Sequence, residues 1–189
     1  MGKERSAEYY DEKSIEAISL IDGGFYDELY NKIADMMGNF LATVLDLGCG
    51  TGRFAEILHQ RRYKNYEGVD FSITCIEHAR AKGLTPYIFT NNNILDISAT
   101  YKKNLSSVDI VTLIEVLEHI EKDREIIESI PDGVTVVFSV PDFDCSSHVR
   151  HFNSKDEVEE RYGQYFKELY IVELDTIGHK YFLVRGIKL

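Results

Sequence analysis

The chain is poor in everything that would take it out of the class of ordinary globular domains. Only three of its 189 residues are proline, and 28% are charged against 44% hydrophobic, a balance that excludes a disordered chain. No stretch nears the roughly 20 apolar residues that a membrane helix needs, so no membrane partner is expected. The opening residues, MGKERSAEYYDEKSIE, lack an apolar segment of the secretory kind, and a cytoplasmic location is expected. Cysteines are few as well. Cys49, Cys75 and Cys145 are odd in number and show no metal-ligand spacing, which excludes a disulfide framework and fits a reducing compartment. Basic residues are the last shortage: 21 Lys and Arg face 32 Asp and Glu, for a net charge of −11. That balance argues against duplex nucleic acid as a partner. The densest basic group, HQRRYK from His59 to Lys64, reads as a solvated helix end.

What is present is an alternation of short β-rich runs with helical stretches, the signature of an α/β fold with a parallel sheet. The length suits one domain. Residues 1–40 read as a helical cap of that domain, anchored by Tyr9, Tyr10, Phe25 and Tyr26, and residues 41–189 as its body. Tyr26, Leu29, Tyr30, Ile33 and Met37 form a helix stripe for packing on the sheet. Strands are expected at Thr43–Leu47, Tyr66–Asp70, Thr85–Thr90, Val108–Glu115 and Val134–Val140. Helices are expected from Gly52 to Gln60, from near Ser72, and from the end of the fourth strand to Ile130. Ser154 opens a further helix with Glu157 three residues on, a capping box. The tail, FKELYIVELDTIGHKYFLVRGIKL, reads as an antiparallel hairpin closing an otherwise parallel sheet.

The stretch VLDLGCGTGRF, Val44 to Phe54, carries the ligand chemistry. In an open α/β sheet, ligands bind beyond the carboxyl ends of the strands. Gly48, Gly50 and Gly52 strip side chains from the turn there, and the next helix points its amides into the same space. A dinucleotide site has the spacing G-x-G-x-x-G; here it is G-x-G-x-G, with Asp46 two residues ahead. An acid beside the loop suits a ligand with an ammonium group better than one with a diphosphate. Asp70 ends the second strand, where a carboxylate accepts both hydroxyls of an unphosphorylated ribose. An amino-acid end, a ribose and no phosphate describe S-adenosylmethionine.

VLDLGCGTGRF followed by GVD resembles the first two signature motifs of the class I S-adenosylmethionine-dependent methyltransferases. The resemblance implies a Rossmann-like, seven-stranded, mostly parallel sheet with helices on both faces and an antiparallel C-terminal strand. It implies that Asp46 and the loop Gly48, Cys49, Gly50 and Gly52 hold the methionine end, that Asp70 binds the ribose and that Phe71 lies against adenine. Asn93, in place of the family's commoner Asp, would meet the adenine amine, with Ile94 beside the ring. Tyr9 and Tyr10 resemble the family's N-terminal lid. Turn chemistry is the competing reading for Asn91–Asn93.

A second constellation follows the fourth strand, where IEVLEHIEKD places Glu115, Glu118 and His119 at i, i+3 and i+4. On a helix these project together toward the cofactor's methyl. His148 and His151 follow the fifth strand. The run resembles small-RNA 3′-terminal 2′-O-methyltransferases, which carry E-x-x-E-H and a later H-F-x-x-[ST]; it also resembles ubiquinone-type O-methyltransferases. The first resemblance implies a divalent cation (Mg, Mn, Co or Zn) on Glu115, Glu118, His119 and His151. Without a metal, Glu118 reads as a helix-start carboxylate, and the histidines of the later loop as hydrogen-bonded loop residues.

Methyl transfer from a sulfonium is an in-line displacement with a neutral leaving group, so alignment is the main task. A hydroxyl acceptor also gains from a base or a metal, and His119 and His151 are the candidate catalytic groups. The resulting expectation is methyl transfer to a small-molecule acceptor at oxygen, with Glu115 helping to position the cofactor. The alternatives are a metal-assisted RNA 3′-end 2′-O-methyltransferase, a non-catalytic partner-binding module of the same fold, and a nicotinamide-dependent oxidoreductase, against which the loop spacing counts.

Overall fold

The computed structural model describes residues 2–96 and 107–189. Seven strands form one sheet: β1 (Thr43–Leu47), β2 (Asn65–Asp70), β3 (Ile88–Asn91), β4 (Ile110–Leu113), β5 (Thr135–Pro141), β6 (Phe166–Thr176) and β7 (His179–Lys188). Their order is β3-β2-β1-β4-β5-β7-β6. The pairs from β3 to β5 are parallel; β7 runs antiparallel to both β5 and β6. The expected hairpin is there, but its last strand lies inside the sheet, between β5 and β6, and β6 forms the edge.

The central strand shows why the sheet is covered on both faces. Leu45 and Leu47 pack in one apolar cluster and Val44 in the other, as the period of two requires. The helices α2 (Asp27–Met37), α3 (Arg53–Gln60) and α4 (Ile73–Ala81) supply one cluster. Those of the other cluster are α5 (Asp123–Ser129) and α6 (Lys155–Tyr162). In the expected stripe of α2, Leu29, Ile33 and Met37 are buried. Arg61, at the end of α3, spends its guanidinium on Asp35 at 2.6 Å and Asn31 at 2.7 Å. The rest of the densest basic group, His59, Arg62 and Lys64, is exposed at the end of α3, as expected.

Three expected boundaries move. β3 begins at Ile88 rather than Thr85, because Pro86 has no amide for a ladder. β4 is only four residues long, since Glu115 leaves the extended region with φ +55°. The helix expected to follow directly is a single 3-10 turn at Leu117–His119, and α5 starts only at Asp123. Ser154 does cap α6, accepting from Glu157 N at 3.3 Å. The carboxylate of Glu157 closes back one residue early, on Asn153 N at 2.8 Å.

The N-terminal helix α1 (Ala7–Asp22) lies against α4. Asp11 accepts from Ser72 Oγ at 2.6 Å and Thr74 N at 3.2 Å. Asp22 meets His78 at 2.7 Å and Lys82 at 2.8 Å. No described helix is long and apolar enough to cross a membrane.

Candidate active site

Strand β1 ends in the glycine loop at the carboxyl edge of the sheet. Gly48 and Gly50 both have positive φ, +83° and +51°, which side chains on L-residues resist. A Cβ on Gly48 would lie 2.4 Å from Val116 Cγ2, so the next crossover fits only over a bare backbone. A Cβ on Gly50 would meet nothing within 4 Å; that side of the loop faces open space. Beside it, Thr51 Oγ1 is buried without a partner among the described residues.

Asp70 closes the loop. Its two oxygens accept from Gly50 N and Ser72 N, each at 2.9 Å. Burial raises its pKa, and the two amides oppose that rise. Two such bonds use half the acceptor capacity of a carboxylate, which leaves lone pairs for ligand hydroxyls. Phe71 follows, and the ring of Tyr10 from α1 sits 5.3 Å from it.

Asp46 has a different setting from the one expected. It lies within β1, 2% exposed, and accepts from Tyr66 Oη and Thr112 Oγ1, both at 2.6 Å. Burial pushes it up to about 6 against the pull of those bonds. It braces the strand that carries the loop. Asn93 is exposed, and its side-chain oxygen caps the turn Ile94–Asp96 by accepting from Leu95 N at 2.9 Å. Ile94 is buried in the core.

The second constellation forms, in altered membership. Glu118, His119 and His148 bring one ligand atom each within 4.8 Å of one another. Glu115 and His151 do not belong to that group. In its left-handed conformation Glu115 turns to β5, where Ser139 Oγ accepts from its amide at 2.9 Å and donates to its carboxylate at 2.8 Å. His151 lies in the same loop as His148, with its Nδ1 buried and unpartnered among the described residues. The turn that places His148 is closed locally, His148 N donating to Cys145 O, and tied at long range by Val149 N donating to Glu118 O at 2.8 Å.

The chemistry of this cluster is unusual. Glu118 is fully buried, and among the described residues its carboxyl oxygens have no well-formed hydrogen bond, only the neighbouring Glu115 carboxyl to share a proton with. Burial, with the charge of Glu115 added, raises its pKa well above the usual range. His119 Nδ1 lies 3.0 Å from Ser147 O, and His148 Nδ1 lies 3.0 Å from Phe143 O. A carbonyl only accepts, so both Nδ1 atoms carry hydrogen and both Nε2 atoms keep a lone pair. Burial pushes His119 down to about 4, so it is neutral at pH 7. Its Nε2 is 3.9 Å from Glu118 Oε1.

Burial also pushes Glu115 up to about 7. Folded protein therefore keeps a proton that the unfolded chain loses from about pH 4.5 upward. Glu115 costs nothing below that pH, costs progressively more up to about pH 7, and then a constant amount. Glu115→Gln retains an acceptor for Ser139 and has no charge to bury. Urea unfolding of the ligand-free protein should show the variant gaining on the wild type as pH rises from about 5 to about 8.

A doubly covered sheet of this strand order, with a glycine loop after β1 and an acid closing β2, is the frame of a class I S-adenosylmethionine-dependent methyltransferase. The chain belongs to the methyltransferase domain family, whose profile matches residues 21–175. It is 30% identical over 86 residues to a ubiquinone biosynthesis O-methyltransferase of Cupriavidus pinatubonensis. That match takes in 46% of this chain and 34% of the relative, so the chain spans about a third of it. Among solved structures it is similar to the N-methyltransferase NodS from Bradyrhizobium japonicum in complex with S-adenosyl-L-homocysteine, with TM-score 0.67 and 20% identity over 87% of each chain. It is also similar to the methyltransferase domain of bacterial CtHen1-C, with TM-score 0.66 and 18% identity over 86% of this chain and 97% of that one. At these identities the solved structures establish the fold.

Proposed function

We propose that the protein transfers the methyl group of S-adenosylmethionine to a hydroxyl of a small-molecule acceptor seated at Glu118, His119 and His148. The observation that carries this reading is a neutral imidazole whose Nε2 lone pair lies 3.9 Å from a buried carboxyl that has no well-formed hydrogen bond among the described residues. The ubiquinone-type relative, itself an O-methyltransferase by name, supports the choice of oxygen.

The residues around the loop suit the cofactor. Open space over Gly50, the unpartnered Thr51 hydroxyl and the spare lone pairs of Asp70 match a ligand with a ribose and an amino-acid end. Asp70 would take the ribose hydroxyls, and the amides from Gly48 to Gly52 the methionine carboxylate. Phe71 and Ile94 would flank the adenine, with Asn93 at its amine. Asp46 holds the strand beneath. Tyr9 and Tyr10 on α1 would close the site from above, as a cap that belongs to the same domain. When bound, S-adenosylmethionine supplies an activated methyl and a neutral leaving group.

The chain's own work is alignment and proton removal. The acceptor hydroxyl faces His119 Nε2, which takes its proton as the new oxygen–carbon bond forms. Burial keeps His119 unprotonated and ready, at the expense of basicity. Glu118, next to it and held protonated by burial, would accept the new Nε2–H on its carbonyl oxygen.

A second reading rests on the same cluster: Glu118, His119 and His148 hold a divalent cation. Both histidines donate Nδ1–H to a backbone carbonyl, the arrangement that orients metal-binding imidazoles. Two nitrogens and one carboxylate suit Mn, Co or Zn better than Mg. Such an ion would lower the pKa of the acceptor hydroxyl. A net charge of −11 weighs against an RNA end as that acceptor.

Calorimetric titration of Mg²⁺, Mn²⁺ and Co²⁺ into protein saturated with S-adenosylhomocysteine separates the two readings. A single cation site that disappears in His119→Ala supports the metal. No heat from any cation, with S-adenosylhomocysteine bound, supports the histidine base, and catechols and vicinal diols are then the acceptors to try.

A further inference from the structure

The geometry points to Arg150 as a positioning residue of the acceptor site, the one that holds Glu118 and His119 against His148. This rests on the assignment of that cluster to the acceptor. The turn Leu117–His119 has only three residues, and its one turn bond, Ile120 N to Leu117 O, is long at 3.5 Å. The loop bearing His148 adds further donors. Val149 N donates to Glu118 O at 2.8 Å. The guanidinium of Arg150 donates to Leu117 O, to Ile120 O at 2.5 Å and to Glu121 O at 3.2 Å. Its side chain is only 14% exposed.

Arg150 is itself set in place by Asp123, which is 1% exposed and 3.4 Å from it. Asp123 is held in turn by Arg161, through two bonds of 2.8 Å, and by Tyr162 Oη at 2.7 Å. Two branches therefore meet at one guanidinium: the turn with Glu118 and His119, and the loop with Ser147 and His148. Their separation is set there. Only a planar fork spans three carbonyls; an ammonium on a flexible stem does not. Arg161 touches the same Asp123, and no hydrogen bond joins it to the turn among the described residues, so it is the matched structural control.

The test follows the His119 Nδ1–H proton by NMR, with the resonance assigned by its loss in His119→Gln. In the wild type its bond to Ser147 O makes it slow to exchange. In Arg150→Gln, exchange with water is expected to speed up at least about tenfold, because the turn is no longer held. Arg150→Lys, which keeps the charge if the glutamine variant folds poorly, should do the same. S-adenosylhomocysteine affinity should stay within about twofold in both, since Asp70 and the glycine loop are untouched. Arg161→Gln should lose stability and retain the slow proton. Wild-type exchange in Arg150→Gln and Arg150→Lys, or equal loss in Arg161→Gln, overturns the assignment. With a catechol as probe acceptor, kcat should fall about 10- to 100-fold in Arg150→Gln at unchanged KM for S-adenosylmethionine. A wild type that leaves catechols unmethylated counts against the acceptor reading, and the His119 proton still decides the role of Arg150.

Discussion

Glu118→Leu is expected to make the ligand-free protein more stable and to stop methyl transfer. The carboxyl is fully buried beside the Glu115 carboxyl, and its oxygens have no well-formed hydrogen bond among the described residues. A buried polar group in that state costs about 1–3 kcal/mol, and an apolar side chain of similar size removes the cost. Urea unfolding should report a gain of about 1–3 kcal/mol at pH 7. Turnover should drop by about 10²–10⁴, the usual worth of a positioned proton-transfer group. Affinity for S-adenosylhomocysteine should hold, because Glu118 makes no bond to the glycine loop or to Asp70 among the described residues. Glu118 is thus read as stability given up for function. A destabilised Glu118→Leu would mean that the carboxyl has a structural partner, and unchanged turnover would remove it from the site.

Asp70→Ala is expected to abolish detectable binding of S-adenosylhomocysteine. Asp70 acts twice: it ties Gly50 N and Ser72 N at 2.9 Å each, and it is the proposed partner of the ribose. Hydrogen bonds to a charged group are worth about 1.5–3 kcal/mol each. Losing two from the ribose lowers affinity by about 10²–10⁴, before any loosening of the loop. Asp70→Asn, which retains one acceptor oxygen, should fall between. Circular dichroism at the titration temperature separates lost binding from lost fold. If Asp70→Ala bound like the wild type, the ribose would lie elsewhere.

The sequence carried the frame well and the acceptor end poorly, for physical reasons. β1, the glycine loop, α3 and the end of β2 follow from local signals, namely an apolar run, bare glycines and an acid at a fixed distance. The settings of Asp46 and His148 come from afar. Asp46 reads as a ligand-facing acid until Tyr66 and Thr112 are brought beside it by the pairing of β1 with β2 and β4. Glu115, Glu118 and His119 suggest one helix face, but Ser139, 24 residues on, holds Glu115 in a left-handed turn. The choice between His148 and His151 depends on carbonyls of Phe143 and Ser147 and on the claw of Arg150. No spacing rule within the loop contains that information. Arg150 had no signal of its own; a single arginine between two histidines is visible only once its three carbonyl partners are known.

The central claim is that the glycine loop and Asp70 form a site for S-adenosylmethionine. Calorimetric titration of S-adenosylhomocysteine into the wild-type protein, with NAD as the control, tests it most directly. The account predicts saturable heat at one site for S-adenosylhomocysteine and none for NAD. Heat with NAD alone, or with neither ligand, would contradict it.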